Sequence, residues 1–265
     1  MPVPPARDPS PDRTQEFMQQ LEIEFRDSAT DLLRQADVSI EAARLAGSMS
    51  SEDRDAVYRI AHSLKGLIAS FGHSLASVVA HRFEDYLADL DEPGAMHLSA
   101  MQKFVDALGD LVDGTVVERS VNAADFIRRL PSRPTGDLGD IEARDVEVLM
   151  VMPNDAVSRH VARELQACGY RVTRESNSFK AIEIAALTRP DLVIASGILD
   201  ALSGIDVVSA FRAMPATQYI PVALMTSATR EEVAEDGLPD GVPVIRKGQA
   251  FGDDLTDALT QVGIL

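Results

Sequence analysis

At 265 residues, with 45% apolar and 25% charged side chains, the chain is long enough for two ordinary domains, each with its own core. Its net charge is −17, with 13 basic and 22 acidic residues up to Leu130 and 12 and 20 after it, so neither half offers the basic stripe of a nucleic-acid binder. No apolar run is long enough to cross a bilayer, Met1 to Arg13 lacks a signal-peptide core, and the single cysteine, Cys168, excludes an internal disulfide or a multi-cysteine metal site.

Residues 1–13 read as a disordered tail. From Thr14 the pattern is helical, with Phe17, Leu21, Phe25, Leu32 and Leu33 at helical spacing up to about Leu45. After a break at Gly47, Ser51 and the acidic residues Glu52 to Asp55 open a second helix that runs to about Phe71. Gly72 ends it. A third helix spans about Ser74 to Leu90, and a fourth carries Met101, Phe104, Val105, Leu108 and Leu111 on one face. A short helix near Ala123 to Leu130 extends it. Four amphipathic helices with short joins imply an antiparallel four-helix bundle over residues 14–130.

Residues 131–144, with two prolines and two glycines, read as a linker. Beyond them the period changes. Strands at 146–152, 170–173, 191–195, 221–225 and 242–245 alternate with helices near 156–168, 178–188, 204–214, 231 and 254–262. This alternation predicts a doubly wound α/β domain with a five-stranded parallel sheet over residues 145–265. Cys168, in an apolar stretch, reads as a buried structural thiol in a reducing cytoplasm.

The second helix contains Arg59-Ile-Ala-His62-Ser-Leu-Lys65-Gly66. Arg59, His62, Lys65 and Gly66 share one helix face. Lys65 can neutralise phosphoryl oxygens added to the imidazole, and Gly66 leaves space one turn along for a phosphate and a docking partner. The third helix carries His81 and Glu84 at i, i+3. If the two helices pack antiparallel, Glu84 can face His62, accept from Nδ1–H and leave the Nε2 lone pair as nucleophile. The plainer alternative is an ordinary helical histidine and a solvated glutamate.

These motifs, with Phe71-Gly72 and His81-Arg-Phe-Glu84-Asp-Tyr-Leu87, resemble the histidine-phosphotransfer (HPt) domain of phosphorelays, and most the one that opens chemotaxis-type histidine kinases. The resemblance covers about residues 14–130. It implies that His62 accepts and donates phosphate, supported by Arg59, Lys65, Gly66, His81 and Glu84. No ATP-binding segment is seen, so the chain is expected to be a phosphotransfer intermediate and not a kinase.

The second half resembles a response-regulator receiver, the fold class here being flavodoxin-like. The resemblance puts Ser196 at the position of the acceptor aspartate and Met152-Pro153 at that of the Mg²⁺-binding acids. Thr226 and Lys247 match the switch threonine and the phosphate-contacting lysine, although Gly248 replaces the usual proline. Mg²⁺ needs carboxylate oxygens that Met152, Pro153 and Ser196 cannot supply. Asp155 and Asp200, the nearest acids, read as loop or cap residues. The domain is therefore expected to be a pseudo-receiver with no metal or cofactor of its own, Mg²⁺ being needed only in the partner receiver.

The leading expectation is a cytoplasmic phosphorelay shuttle whose partners are a histidine kinase and response-regulator receivers, with no nucleic-acid or membrane partner. The receiver-like half would dock a kinase, form a homodimer or cover the His62 face. A second reading is a non-catalytic scaffold of a two-component system. A third, an enzyme with Ser196 as nucleophile, finds no histidine in the likely surroundings except His160.

Overall fold

The computed structural model describes residues 11–88, 90, 93–132, 144–248 and 250–264, with side chains from Thr14 onward. Residues 1–10 of the expected tail and 133–143 of the expected linker lie outside this description. The chain divides into two compact units, Met1–Val121 and Asn122–Leu265.

The first unit holds α1 (Pro11–Ala46), α2 (Ser51–Ser70), α3 (Ser74–Leu87) and α4 (Ala95–Val112). Helix α1 packs on α2 and α4, and α3 packs on both α2 and α4, closing a four-helix bundle. The helix α1 begins at Pro11, so the last three residues of the expected tail are helical. Its buried positions, Phe25, Ala29, Leu33, Ala36, Ile40 and Ala43, keep a three-four spacing that lines one seam. That seam covers about 27 Å at 1.5 Å per residue, close to the length of α2. Phe17, expected in the same apolar row, lies beyond it and is 62% exposed.

Helix α2 is capped by Ser50, whose hydroxyl accepts from the Asp53 amide at 3.1 Å, one residue before the expected Ser51. Gly72, at φ +75°, lets the chain reverse into α3. Phe83 of α3 is fully buried and stacks on Phe104 of α4 at 5.3 Å. Burying a side chain of that size contributes about 1.5–3 kcal/mol. His73 precedes α3 without capping it by its side chain. The Glu118 carboxylate, from the 3₁₀ turn Glu118–Ser120, supplies the cap instead, accepting from the Leu75 and Ala76 amides at 3.2 and 2.9 Å.

The second unit begins with α5 (Ala123–Arg128) and continues β1 (Glu147–Val151), α6 (Ala156–Ala167), β2 (Arg171–Glu175), α7 (Ser178–Thr188), β3 (Leu192–Ser196), α8 (Gly204–Ala213), β4 (Val222–Thr226), α9 (Arg230–Glu235), β5 (Val244–Arg246) and α10 (Phe251–Gln261). The sheet is wholly parallel in the order β2-β1-β3-β4-β5, the flavodoxin-like doubly wound arrangement. Strands β1 and β3 are buried at every position, as helices on both faces require.

Helix α5 does not extend the fourth helix of the bundle, as the sequence had suggested. It packs on α7 within the second unit. Arg128 donates both to the Asp191 carboxylate, at 3.0 and 3.1 Å, and to the Asp145 carbonyl. Arg171, paired with buried Glu147 at 2.6 Å, donates to the carbonyls of Ile127 and Leu130 at the end of α5. A cation on the last carbonyls of a helix satisfies acceptors that have no partner within it. Cys168, expected to be buried, is exposed: it falls past the end of α6, off that helix's buried stripe of Val161, Ala162 and Leu165.

Candidate functional site

On α2 the buried stripe is Val57, Ala61, Leu64 and Ile68. His62 follows Ala61, and the 100° turn per residue sets it at the margin of that stripe with its side chain 66% exposed. On α3, Glu84 lies among the buried residues Ala80, Phe83 and Leu87, so its carboxyl emerges between the two helices with 11% exposure. His62 Nδ1 stands 2.6 Å from Glu84 Oε1. Lys65, one turn on from His62, pairs its ammonium with Glu84 Oε2. One carboxylate therefore engages the imidazole with one oxygen and the ammonium with the other.

Burial by itself raises the Glu84 carboxyl, but hydrogen bonds from Lys65 and His62, with their positive charge, outweigh it and hold Glu84 below its ordinary 4.5. An anionic Glu84 accepts from Nδ1–H, so the lone pair that the ring can offer is the one on Nε2.

Arg59 is exposed on α2, one turn before His62, and His81 is half-buried on α3, one turn before Glu84. A Cβ built on Gly66 meets no heavy atom within 4 Å, so the bundle's own packing does not demand glycine there. The Lys65–Glu84 pair is what sequence reasoning missed: spacing shows that Lys65 shares a face with His62, but not which anion reaches it.

In the second unit, Ser196, Thr226 and Lys247 gather at the C-terminal edge of the sheet. Ser196 ends β3 fully buried, and Lys247 Nζ lies 3.5 Å from its Oγ. Thr226 ends β4, its Oγ1 accepting from the Ala228 amide at 3.1 Å and its carbonyl from the Lys247 amide at 2.9 Å. Gly204 is sterically required. A Cβ there would stand 2.2 Å from the Ser196 carbonyl oxygen, because the start of α8 lies directly against the end of β3.

After β1, Met152 is buried in the apolar core and Pro153 is half-buried. Asp155 caps α6, accepting from the Ser158 amide at 2.8 Å, and Asp200 is exposed. Glu175, at the end of β2, accepts from the Asn177 amide at 2.7 Å. Among the described residues no group of three or more His, Cys, Asp or Glu could hold a metal ion. The donor set beside Ser196 does not fit Mg²⁺, which prefers carboxylate oxygens.

The helical bundle thus presents a carboxylate-tethered imidazole, and the second unit is a flavodoxin-like parallel sheet. Residues 16–115 match the family model of the Hpt domain. That match supports a place in two-component phosphorelay signalling. No curated protein matches the chain.

Similar solved structures include the chemotaxis response regulator CheY4 of Vibrio cholerae, 24% identical, covering 44% of this chain and 98% of that one with a TM-score of 0.40. The receiver domain of a sensor histidine kinase from Pseudomonas aeruginosa, with magnesium coordinated in its active site cleft, is 22% identical, covering 44% and 98% with a TM-score of 0.40. The receiver domain of a signal transduction histidine kinase from Syntrophus aciditrophicus is 23% identical, covering 44% and 89%, again at 0.40. The fold assignment of the second unit rests on its strand order and parallel register. Among the described residues, no helix is long and apolar enough to cross a membrane.

Proposed function

We propose that His62 carries a phosphoryl group on Nε2 and passes it between a histidine kinase or phosphorylated receiver and a second receiver, in the cytoplasm. The observation that carries this reading is the 2.6 Å contact between Glu84 Oε1 and Nδ1 of an exposed imidazole. In the loading step Nε2 attacks phosphorus, the N–P bond forms, and the bond from phosphorus to the donor's carboxylate oxygen, or to the ADP oxygen of ATP in a kinase, breaks. The phosphorylated ring keeps its Nδ1 proton and gains positive charge, which Glu84 stabilises. Lys65 holds the far side of that carboxylate and adds positive charge near the incoming phosphoryl oxygens. Arg59 and His81 flank the site, and Gly66 leaves the approach open. The metal and carboxylates of the transfer belong to the partner.

The second unit acts as a pseudo-receiver, docking a partner or dimerising. With Ser196, Met152 and Pro153 where receivers carry acids, it takes no phosphate. The test is incubation with a cognate kinase and labelled ATP. An acid-labile, base-stable label on the wild type that is absent from His62→Gln supports the reading; label retained by His62→Gln overturns it. Beryllofluoride with Mg²⁺ is expected to leave the second unit unchanged, and saturable binding there contradicts the pseudo-receiver assignment.

A further inference from the structure

The second unit has a feature that phosphoryl transfer does not use. Beside the N-terminal ends of α6 and α10 lies an open hollow of about 410 Å³, bounded by Val157, His160, Val161, Met225, Lys247 and Phe251. Its size falls within the range of small-molecule sites, about 300–1,000 Å³, which are mostly apolar with a few placed polar groups. His160 and Phe251 bridge its two helices with ring centroids 6.5 Å apart. Val157 is 42% exposed, an apolar side chain left open at the mouth.

Among the described residues no carboxylate lines the hollow, and Lys247 sits at its edge. Among the described residues the Lys247 ammonium has the Ser196 hydroxyl, at 3.5 Å, as its side-chain partner and no ion pair. The nearest acid on α6, Asp155, is committed to the Ser158 amide, and Asp254 of α10 is committed to Arg246. The site thus joins an apolar wall to one uncompensated cation. A neutral lipid would leave the ammonium unpaired, and a bare phosphate would leave the wall unused.

We propose that this hollow binds a small amphipathic carboxylate, its apolar body against Val157, Val161, Met225 and Phe251 and its carboxylate on Lys247. This is independent of phosphorylation at His62. The probe is octanoate, titrated into the full chain by calorimetry, with octanol and inorganic phosphate as comparisons. Octanoate is expected to saturate one site per chain and to bind at least about tenfold more tightly than either comparison, as a charge-assisted contact implies.

Lys247→Gln should bring octanoate down to the level of octanol, and Val157→Asp should abolish binding, each with an unchanged thermal unfolding curve. If Val157→Asp unfolds the domain, Lys247→Gln, at an exposed position, decides alone. Absence of saturable octanoate binding overturns the proposal, as does equal binding of octanol or a Lys247→Gln variant that binds as the wild type does.

Discussion

Glu84 and His62 are held 2.6 Å apart across two helices, while the other oxygen of Glu84 is taken by Lys65 on the same helix as His62. The carboxylate is therefore fixed from both sides, and the imidazole it holds has one nitrogen to offer. Replacing Glu84 by Gln removes the anion but keeps the shape. Losing a hydrogen bond to a charged group is worth roughly 1.5–3 kcal/mol, so phosphorylation of His62 should slow about 10- to 100-fold. Rapid-quench phosphotransfer measures this, and an unchanged rate would show that Glu84 does not orient the ring.

The lowered carboxyl of Glu84 sets a pH dependence. A depressed folded-state value contributes stability that is fully present above the unfolded value, here about 4.5, and is lost as pH falls through the folded one. The stability difference between wild type and Glu84→Gln should persist at pH 4.5 and close below it. Lys65→Met removes a donor and a charge, so the Glu84 carboxyl should titrate at higher pH. Urea melts over a series of pH values read the first effect, and carbon-13 NMR of the Glu84 side-chain carboxyl reads the second.

Gly66 and Gly204 should respond oppositely to alanine. At Gly66 the new methyl meets nothing, and alanine in a helix interior is favoured by about 0.5–1 kcal/mol, so the bundle should unfold at the same or higher denaturant. Transfer to a partner receiver should nevertheless slow if that face is where the partner docks. At Gly204 the methyl collides with the Ser196 carbonyl, and overpacking of this kind costs about 1–3 kcal/mol. Urea melts of the two variants check the contrast.

Glu118 caps α3 from more than 40 residues away. Its replacement by Ala should cost about 0.5–2 kcal/mol, the usual loss for a missing N-terminal cap. The melting temperature of the helical unit is the measurement, and the α/β unit should be unaffected.

Periodicity made most of the fold legible. The spacing Val57, Ala61, Leu64, Ile68 and the apolar runs of β1 and β3 each define an element and its buried face without help from the rest of the chain. The side of the bundle on which His62 lies was legible for the same reason. What was not legible depended on partners distant in sequence. Six residues of α5 carry too little pattern to say which unit they join; Arg128 with Asp191, and Arg171 with the Ile127 and Leu130 carbonyls, decide it. The Glu118 cap is hidden likewise. Cys168 misled because the apolar residues just before it end the buried stripe of α6 and do not continue through it.

The proposed function places the phosphate on Nε2 of His62. Nitrogen-15 NMR of histidine-labelled protein, phosphorylated by its cognate kinase, distinguishes the two ring positions directly. The expected result is one phosphorylated histidine, His62, with phosphorus on Nε2 and the Nδ1 proton retained. Phosphorus on Nδ1, or on any residue other than His62, would contradict it.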